Sequence, residues 1–561
     1  MFSSARQKLQ RVRDELRATP DRVRATTEMA RTTGMLWELT RAGALAMVRA
    51  QIGGGQNPSL VYRIHGKNSP NKVCLVHRDR SLTFAEVDDR VDRLAHGLVA
   101  AGIRRKKSVV LMMKNGIEMV EVGVACARVG AAAVSISWRS TASELAYLAT
   151  HSGASAIVCD PELFHVVEEA TPHLPPALLD AVYVRGSLPG KRARPLAELY
   201  EGGRSGPYAP EIGSDEDAAV VIYTSGTTGK PKGAVRKFPK DTMPAAFRFI
   251  AQTPMRCDDV HLVTCPLYHS TAFGFLTLSH VLGNTVVIMD EFKPEAFVEI
   301  VDRHHVTTTA LVPTMLHRVL ALPREVVERY ELRSLRAIFS GGAPLPGPLA
   351  VEFMDRFGDV VWNFYGATET GLVTLASPHD LRAAPGTIGR ALPGNEIALL
   401  DDEGRPVPAG KVGELYVKNK LLVAGYHRDE GATSASMRDG FFSVGDLARR
   451  DPQGRFFIEG RKRDMIISGG VNVYPAEVEG VLESHPDIAE VAVVGVPDNE
   501  WGERVRAFVV ARPGTTLDEG ALKTWTRERL AGPKVPRDFV FLEALPRNPT
   551  GKVLKRELRM V

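Results

Sequence analysis

The stretch Ala218-Ala219-Val220-Val221-Ile222-Tyr223, running into Thr224-Ser225-Gly226-Thr227-Thr228-Gly229-Lys230-Pro231-Lys232-Gly233, decides how this chain is read. Its first half is an unbroken apolar run rich in β-branched residues, the pattern of a buried strand. Its second half sets three glycines among four hydroxyls and two lysines. Glycines let the backbone fold tightly and aim N–H groups at an anion, while the hydroxyls and lysines add donors and positive charge. Such a loop suits a triphosphate. It is not a Walker A loop: only two residues separate Gly226 from Gly229, and Pro231 stands where a magnesium-binding Ser or Thr would follow the lysine.

Outward from this loop, buried strands are predicted at Ser108–Met113, Ala156–Cys159, Ala181–Val184, Thr308–Val312, Ala337–Ser340 and Val360–Phe364. Helical spacing falls between them at Phe84–Ala101, Ser143–His151 and Glu295–His304. This alternation predicts a mixed, largely parallel α/β architecture. Around Gly394–Gly425 the pattern becomes all-strand, with Asp402-Glu403-Gly404 as a turn. A charged stretch at Gly460–Asp464 marks a boundary, after which about a hundred residues form a unit of small-domain size. There a helix opens at Pro475, and strands are expected at Val491–Val496, Arg504–Ala511 and Phe539–Leu542, with a helix near Leu517–Leu530. The fold class expected is therefore α/β, in three parts: a helical extension over 1–60, a large domain of mixed sheets with a β-rich subdomain over 61–460, and a small α+β domain over 461–561.

At 561 residues the chain exceeds the roughly 250–300 at which single cores stop growing. A formal charge of +5 over this length gives no footprint for nucleic acid. The five cysteines, Cys74, Cys126, Cys159, Cys257 and Cys265, are odd in number and scattered, which argues against a disulfide framework and for a cytoplasmic home. Pro266–Met289 lacks Asp, Glu, Lys and Arg, yet Gly283-Asn284 reads as a turn, so a core helix followed by a strand is expected rather than a membrane span. Residues 1–60 are rich in arginine and carry an apolar stretch, Met35 to Val48, broken by Glu38 and Arg41. This is no secretory signal. It suits peripheral contact with acidic lipid headgroups, or equally an arm packed on the enzyme or on a second subunit.

Further motifs follow strand ends. Ser340-Gly341-Gly342-Ala343-Pro344-Leu345 offers a backbone bare of side chains. Tyr365-Gly366-Ala367-Thr368-Glu369 places a carboxylate on a turn, and one carboxylate is a normal partner for magnesium bound to substrate phosphates. Val444-Gly445-Asp446, Gly460-Arg461, Ser468-Gly469-Gly470-Val471-Asn472 and Pro546-Arg547-Asn548-Pro549-Thr550-Gly551-Lys552 complete the series. Pro266-Leu267-Tyr268-His269-Ser270-Thr271-Ala272-Phe273-Gly274 reads as the wall of a mostly apolar pocket.

In this order the motifs resemble the adenylate-forming enzymes: acyl-CoA synthetases, peptide-synthetase adenylation domains and beetle luciferases. The resemblance covers about residues 60 to 561 and is strongest to fatty-acyl and medium-chain acyl-CoA ligases. It implies ATP, Mg²⁺ and coenzyme A as cofactors, and a carboxylic acid, a medium- or long-chain fatty acid, as substrate. By the same resemblance Thr224, Ser225, Gly226, Thr227, Thr228, Gly229 and Lys230 hold phosphates, while Gly341, Gly342, Ala343, Tyr365 and Gly366 border the adenine. Thr368 contacts the α-phosphate, Glu369 and Thr224 are the metal positions, and Asp446 and Arg461 contact the ribose. Gly469 and Gly470 line a pantetheine tunnel, and His269 lies nearest the acid's carboxylate. Lys552 is the catalytic lysine of a mobile C-terminal lid that hinges at Arg463. The family more often has Thr at Val444. Three rivals share these motifs: a fatty-acyl-AMP ligase loading a carrier protein, an oxygenase of the luciferase type, and a non-catalytic acyl or nucleotide sensor.

Overall fold

A computed structural model describes residues 23–52, 57–202, 206–209, 220–224, 232–236, 242–422, 430–469, 471–547 and 553–561. The described residues fall into two compact units, one within Met1–Ala310 with Arg324–Ala337 and Lys420–Glu430, the other from Leu311–Pro323, Ile338–Asn419 and Gly431–Val561.

The first unit holds two sheets. One uses β3 (Ser108–Met112), β4 (Ala132–Ser135), β5 (Ala154–Cys159), β6 (Val182–Val184), β7 (Arg194–Pro195), β8 (Val220–Thr224) and β9 (Lys232–Arg236), in the order β7-β6-β5-β3-β4-β8-β9. All its pairings are parallel except the last, where β8 meets β9 antiparallel. Parallel strands need covering on both faces, and β3 is buried at every residue. The expected parallel α/β pattern is thus realised. The second sheet brings together β1 (Val73–His77), β2 (Arg80–Thr83), β10 (Val260–Val263), β11 (Thr285–Ile288) and β12 (Thr308–Leu311), with β10 flanked in parallel by β11 and β12. The charge-free run at Pro266–Met289 is helix Ser270–Val281, a turn at Gly283 and strand β11. No helix among the described residues is long and apolar enough to cross a membrane.

Helix starts in this unit follow the sequence closely. Thr83 caps Phe84–Ala100 and Thr141 caps Ala142–His151, each in a reciprocal capping box with Glu three residues on.

In the second unit β13 (Ala337–Ser340) pairs in parallel with β14 (Val361–Ala367), which turns back antiparallel into β15 (Gly371–Ala376). An antiparallel sheet follows, in which Val412–Lys418 pairs with Glu396–Leu400 on one side and with Asp446–Arg450 on the other; Phe456–Arg461 pairs with Asp446–Arg450 in turn. The chain then enters a three-residue 3₁₀ turn at Lys462–Asp464. Beyond it, the long hairpin Ile488–Asp498 with Gly502–Ala511 is flanked by Asp538–Phe541, with helices Pro475–Glu483 and Glu519–Arg527 packed against the shared core. The α+β character read beyond Gly460 is realised.

Candidate active site

Two clusters of side chains carry chemistry, one in each unit. In the second unit Asp446 is the first residue of its strand and pairs in register with Arg461, the last residue of the neighbouring one. Adjacency across the ladder brings the Arg461 Nε to 3.2 Å from Asp446 Oδ1. From β14, the Tyr365 hydroxyl donates to Asp446 Oδ2 at 2.7 Å. The Tyr365 ring packs against the apolar core around Val373, Leu415 and Phe456, which fixes where its hydroxyl points. Burial first, and the neighbouring carboxylate second, push the Tyr365 hydroxyl well above its ordinary pKa, so it remains a donor. Asp446 is 7% exposed. A carboxylate offers about four lone-pair sites, and these two contacts leave room for more donors.

The turn between β14 and β15 carries Thr368 and Glu369. It is closed by the Thr370 hydroxyl, which accepts from the Ala367 N–H at 3.0 Å, and by Asn419, whose Nδ2 donates to the Thr370 carbonyl. Gly366 is required here: a Cβ would lie 2.0 Å from the Gly371 carbonyl oxygen. Glu369 is 8% exposed. A hard cation that keeps substrate phosphate oxygens as ligands needs only one or two protein carboxylates, and this donor set fits that requirement. Among the described residues no group of three or more His, Cys, Asp or Glu could hold a metal by protein ligands alone.

Beside β13, Gly341 behaves differently from the bare surface expected of it. The Phe364 ring fills the place a Cβ would take, its nearest atom 2.4 Å from that position. The glycine is needed to admit a phenylalanine of this same chain. Gly469 has the same character: a Cβ would sit 2.5 Å from the Trp501 ring, and its N–H donates to the Trp501 carbonyl at 2.9 Å. Arg463, in the 3₁₀ turn, accepts on its carbonyl from Arg559.

In the first unit His269 stands at the N-terminus of helix Ser270–Val281, with the Tyr268 ring 4.3 Å away between centroids. Its Nε2 is buried and has no hydrogen-bond partner among the described residues. Burial lowers its pKa to about 4, so the imidazole is neutral at physiological pH. A buried polar atom with no protein partner is costly, and a water or a ligand atom can satisfy it. Sequence reasoning missed the residue that builds this corner. Asn115, 3% exposed, donates from Nδ2 to the carbonyls of Cys265 and Met289 and accepts the Leu267 N–H at 2.8 Å. It fixes the turn that presents Tyr268 and His269.

Thr224 closes β8, as its motif requires. Ser225 to Lys230, Gly470 and Lys552 lie outside the described residues.

Comparison with known proteins adds independent findings. The AMP-binding enzyme family matches residues 63–427, and the AMP-binding enzyme C-terminal domain matches residues 477–552. A feruloyl-CoA synthase of Amycolatopsis sp is 37% identical over 88% of this chain and 96% of its own. An indoleacetate–CoA ligase of Aromatoleum aromaticum is 35% identical over 89% of this chain and 96% of its own. Among solved structures, the amide bond synthetase McbA of Marinactinospora thermotolerans superposes with a TM-score of 0.81 at 28% identity, covering 90% of this chain and 99% of that one.

Proposed function

This chain belongs to the AMP-binding enzyme family, and on that premise we propose that it is an AMP-forming acid–thiol ligase that activates an apolar carboxylic acid larger than acetate and transfers it to coenzyme A. Aromatic acids of the ferulate and indoleacetate kind stand ahead of medium- and long-chain fatty acids, because relatives sharing more than a third of their residues over nearly the whole length carry those names. Cytoplasmic operation accords with the buried cysteines.

The observation that supports the reading most is the Asp446 carboxylate, fixed by Tyr365 and Arg461 and still able to accept. A ribose presents two adjacent hydroxyls to such an acceptor. In the first step a carboxylate oxygen of the acid attacks the α-phosphorus of ATP, a new O–P bond forms, and pyrophosphate leaves. In the second the coenzyme A sulfur attacks the acyl carbon, the C–O bond to the adenylate breaks, and AMP departs with the acid's former oxygen. Mg²⁺ supplies charge neutralisation to the phosphates when bound, with Glu369 and Thr224 as its protein partners.

His269 orients the acid. A neutral imidazole N–H can hold a carboxylate by one hydrogen bond without pairing it to a full charge, which leaves the oxygen nucleophilic. The glycine-rich loop from Thr224 to Lys230 cradles the phosphates through backbone N–H groups. Lys552 adds mobile positive charge where negative charge spreads at the α-phosphorus. In this reading residues 61–460 form the adenylation domain and 461–561 the lid that carries Lys552, turning at Arg463. Only a few backbone torsions need to change at such a hinge.

The testing experiment measures pyrophosphate release with ATP and Mg²⁺ across acetate, fatty and aromatic acids, each with and without coenzyme A, with products identified by mass spectrometry. Acyl-CoA from one group of acids supports the reading and defines the substrate. Turnover that stalls at bound acyl-AMP with every acid overturns the acceptor and points to a carrier protein.

A further inference from the structure

The first sixty residues hold ten Lys and Arg against five Asp and Glu, an excess equal to the +5 of the entire chain. Residues 61–561 therefore balance to zero, and the net positive charge of this protein is concentrated at one end.

The described part of that end is anchored, and the anchored segment leaves large apolar side chains exposed. Residues 23–33 are helical and bury Ala25, Met29, Ala30 and Thr33, positions that share one helix face. The Thr33 carbonyl accepts the Cys257 N–H at 3.0 Å. Gly34, in the left-handed region at φ 82°, ends the helix and redirects the chain. Asn68 then clamps the segment after the turn: its Oδ1 accepts the Thr40 N–H at 2.9 Å, and its Nδ2 donates to the Glu38 carbonyl at 3.1 Å.

On this clamped frame Leu36, Trp37, Leu39, Leu45 and Val48 are exposed, Trp37 at 90%. Within helix Arg41–Ile52, Leu45 and Val48 share their outward face with Arg41 and Arg49, which stand one turn or less beyond them at either end. Single exposed hydrophobics are ordinary, whereas five within thirteen residues of a held segment are not. An exposed tryptophan, aliphatic side chains and flanking arginines are the composition of a helix lying in the headgroup region of a bilayer.

We propose that residues 35–49 dock this enzyme onto an anionic lipid surface, with Trp37, Leu36 and Leu45 entering the interface and Arg41 and Arg49 meeting lipid phosphates. The occupant is a membrane rather than a second copy of the chain, because a symmetric pairing of this face would bring the like charges of Arg41 and Arg49 against their own copies. An anionic bilayer complements both the charge and the apolar residues.

The test is cosedimentation of the full-length enzyme with vesicles of phosphatidylcholine, with and without phosphatidylglycerol, and it does not depend on the ligase reading. The expected result is pelleting with the phosphatidylglycerol vesicles that weakens at least about tenfold as salt rises toward about 0.5 M. The triple variant Leu36→Ser, Trp37→Ser, Leu45→Ser should lose about tenfold or more of that partition while its circular dichroism and melting temperature match the parent. The separate pair Arg41→Glu, Arg49→Glu should lose binding selectively to the anionic vesicles. Equal pelleting of parent and triple variant, or no pelleting with anionic vesicles, would overturn the proposal. So would sedimentation of the parent as a dimer that Trp37→Ser converts to monomer, since the face would then be covered by a second copy.

Discussion

The His269 corner of the first unit and the Asp446 cluster of the second handle buried polarity in opposite ways. Around His269 the imidazole is held neutral by burial, and one ring nitrogen has no partner among the described residues. Around Asp446 each carboxylate oxygen has a partner, a hydroxyl on one side and a guanidinium on the other. The first arrangement suits an apolar acid that brings a single carboxylate with it. The second suits a polar nucleotide that must be met by a charge already fixed in direction. Substrates so unlike each other ask for unlike solvation, and each is served by its own packing environment.

The largest effect that would break this division lies at Lys552. Lys552→Ala should lower adenylation, read by pyrophosphate release, by about a hundredfold or more. Thioester formation from supplied acyl-AMP should largely survive, and equal loss in both half-reactions would refute a role confined to the α-phosphorus. Next comes Asn115→Leu. It strands the carbonyls of Cys265 and Met289 and the N–H of Leu267, so a loss of about 3 kcal/mol is expected. Denaturant unfolding measures it, and an undiminished midpoint would show that the turn holds itself.

Asp446→Asn keeps an acceptor for Tyr365 but removes the charge facing Arg461, and its side chain has nearly the same shape. The apparent KM for ATP should rise about tenfold at constant KM for the acid, since hydrogen bonds to a charged group are the stronger kind. Steady-state kinetics with each substrate varied would separate the two. His269→Phe should do the reverse, raising the KM for the acid severalfold and leaving ATP untouched. Because it removes a buried nitrogen without a described partner, it should not lower the melting temperature. A marked fall in stability would mean that His269 is a structural residue.

The smallest effect is in the pH dependence of stability. His269 titrates at about 4 in the folded chain, below the ordinary value of 6.5, and burial holds His261 and His280 at about 3. Between these values and 6.5 the unfolded chain binds more protons than the folded one. Stability is therefore complete above about pH 6.5 and declines as pH falls toward 4. Thermal melts of parent and His269→Phe from pH 7 to 5 should separate as pH falls, the parent losing more stability than the variant.

The sequence disclosed most of the fold and only the membership of the site. Buried strands such as Ser108–Met112 and Thr308–Leu311 announce themselves because parallel sheets demand near-continuous apolar runs. The helices that begin at Phe84 and Ala142 are legible through their helical spacing, to within a residue of their starts. Tyr365, Asp446 and Arg461 can each be picked out by motif, yet nothing in the chain reveals that Tyr365 reaches a carboxylate 81 residues away. Asn115 is invisible for the same reason: in Lys-Asn-Gly it reads as a turn residue, and its partners lie 150 to 174 residues on. Gly341 reads as a bare surface, because sequence does not show that the Phe364 ring occupies it. Strand periodicity is local, whereas sites are made by contacts across the sheet.

The central claim, activation of an acid through its adenylate, is tested most directly with an acid labelled with ¹⁸O in its carboxylate, turned over with ATP and coenzyme A. Adenylation predicts one labelled oxygen in the phosphoryl group of each AMP released, with the pyrophosphate unlabelled. Label found in inorganic phosphate, with ADP as the nucleotide product, would contradict the account.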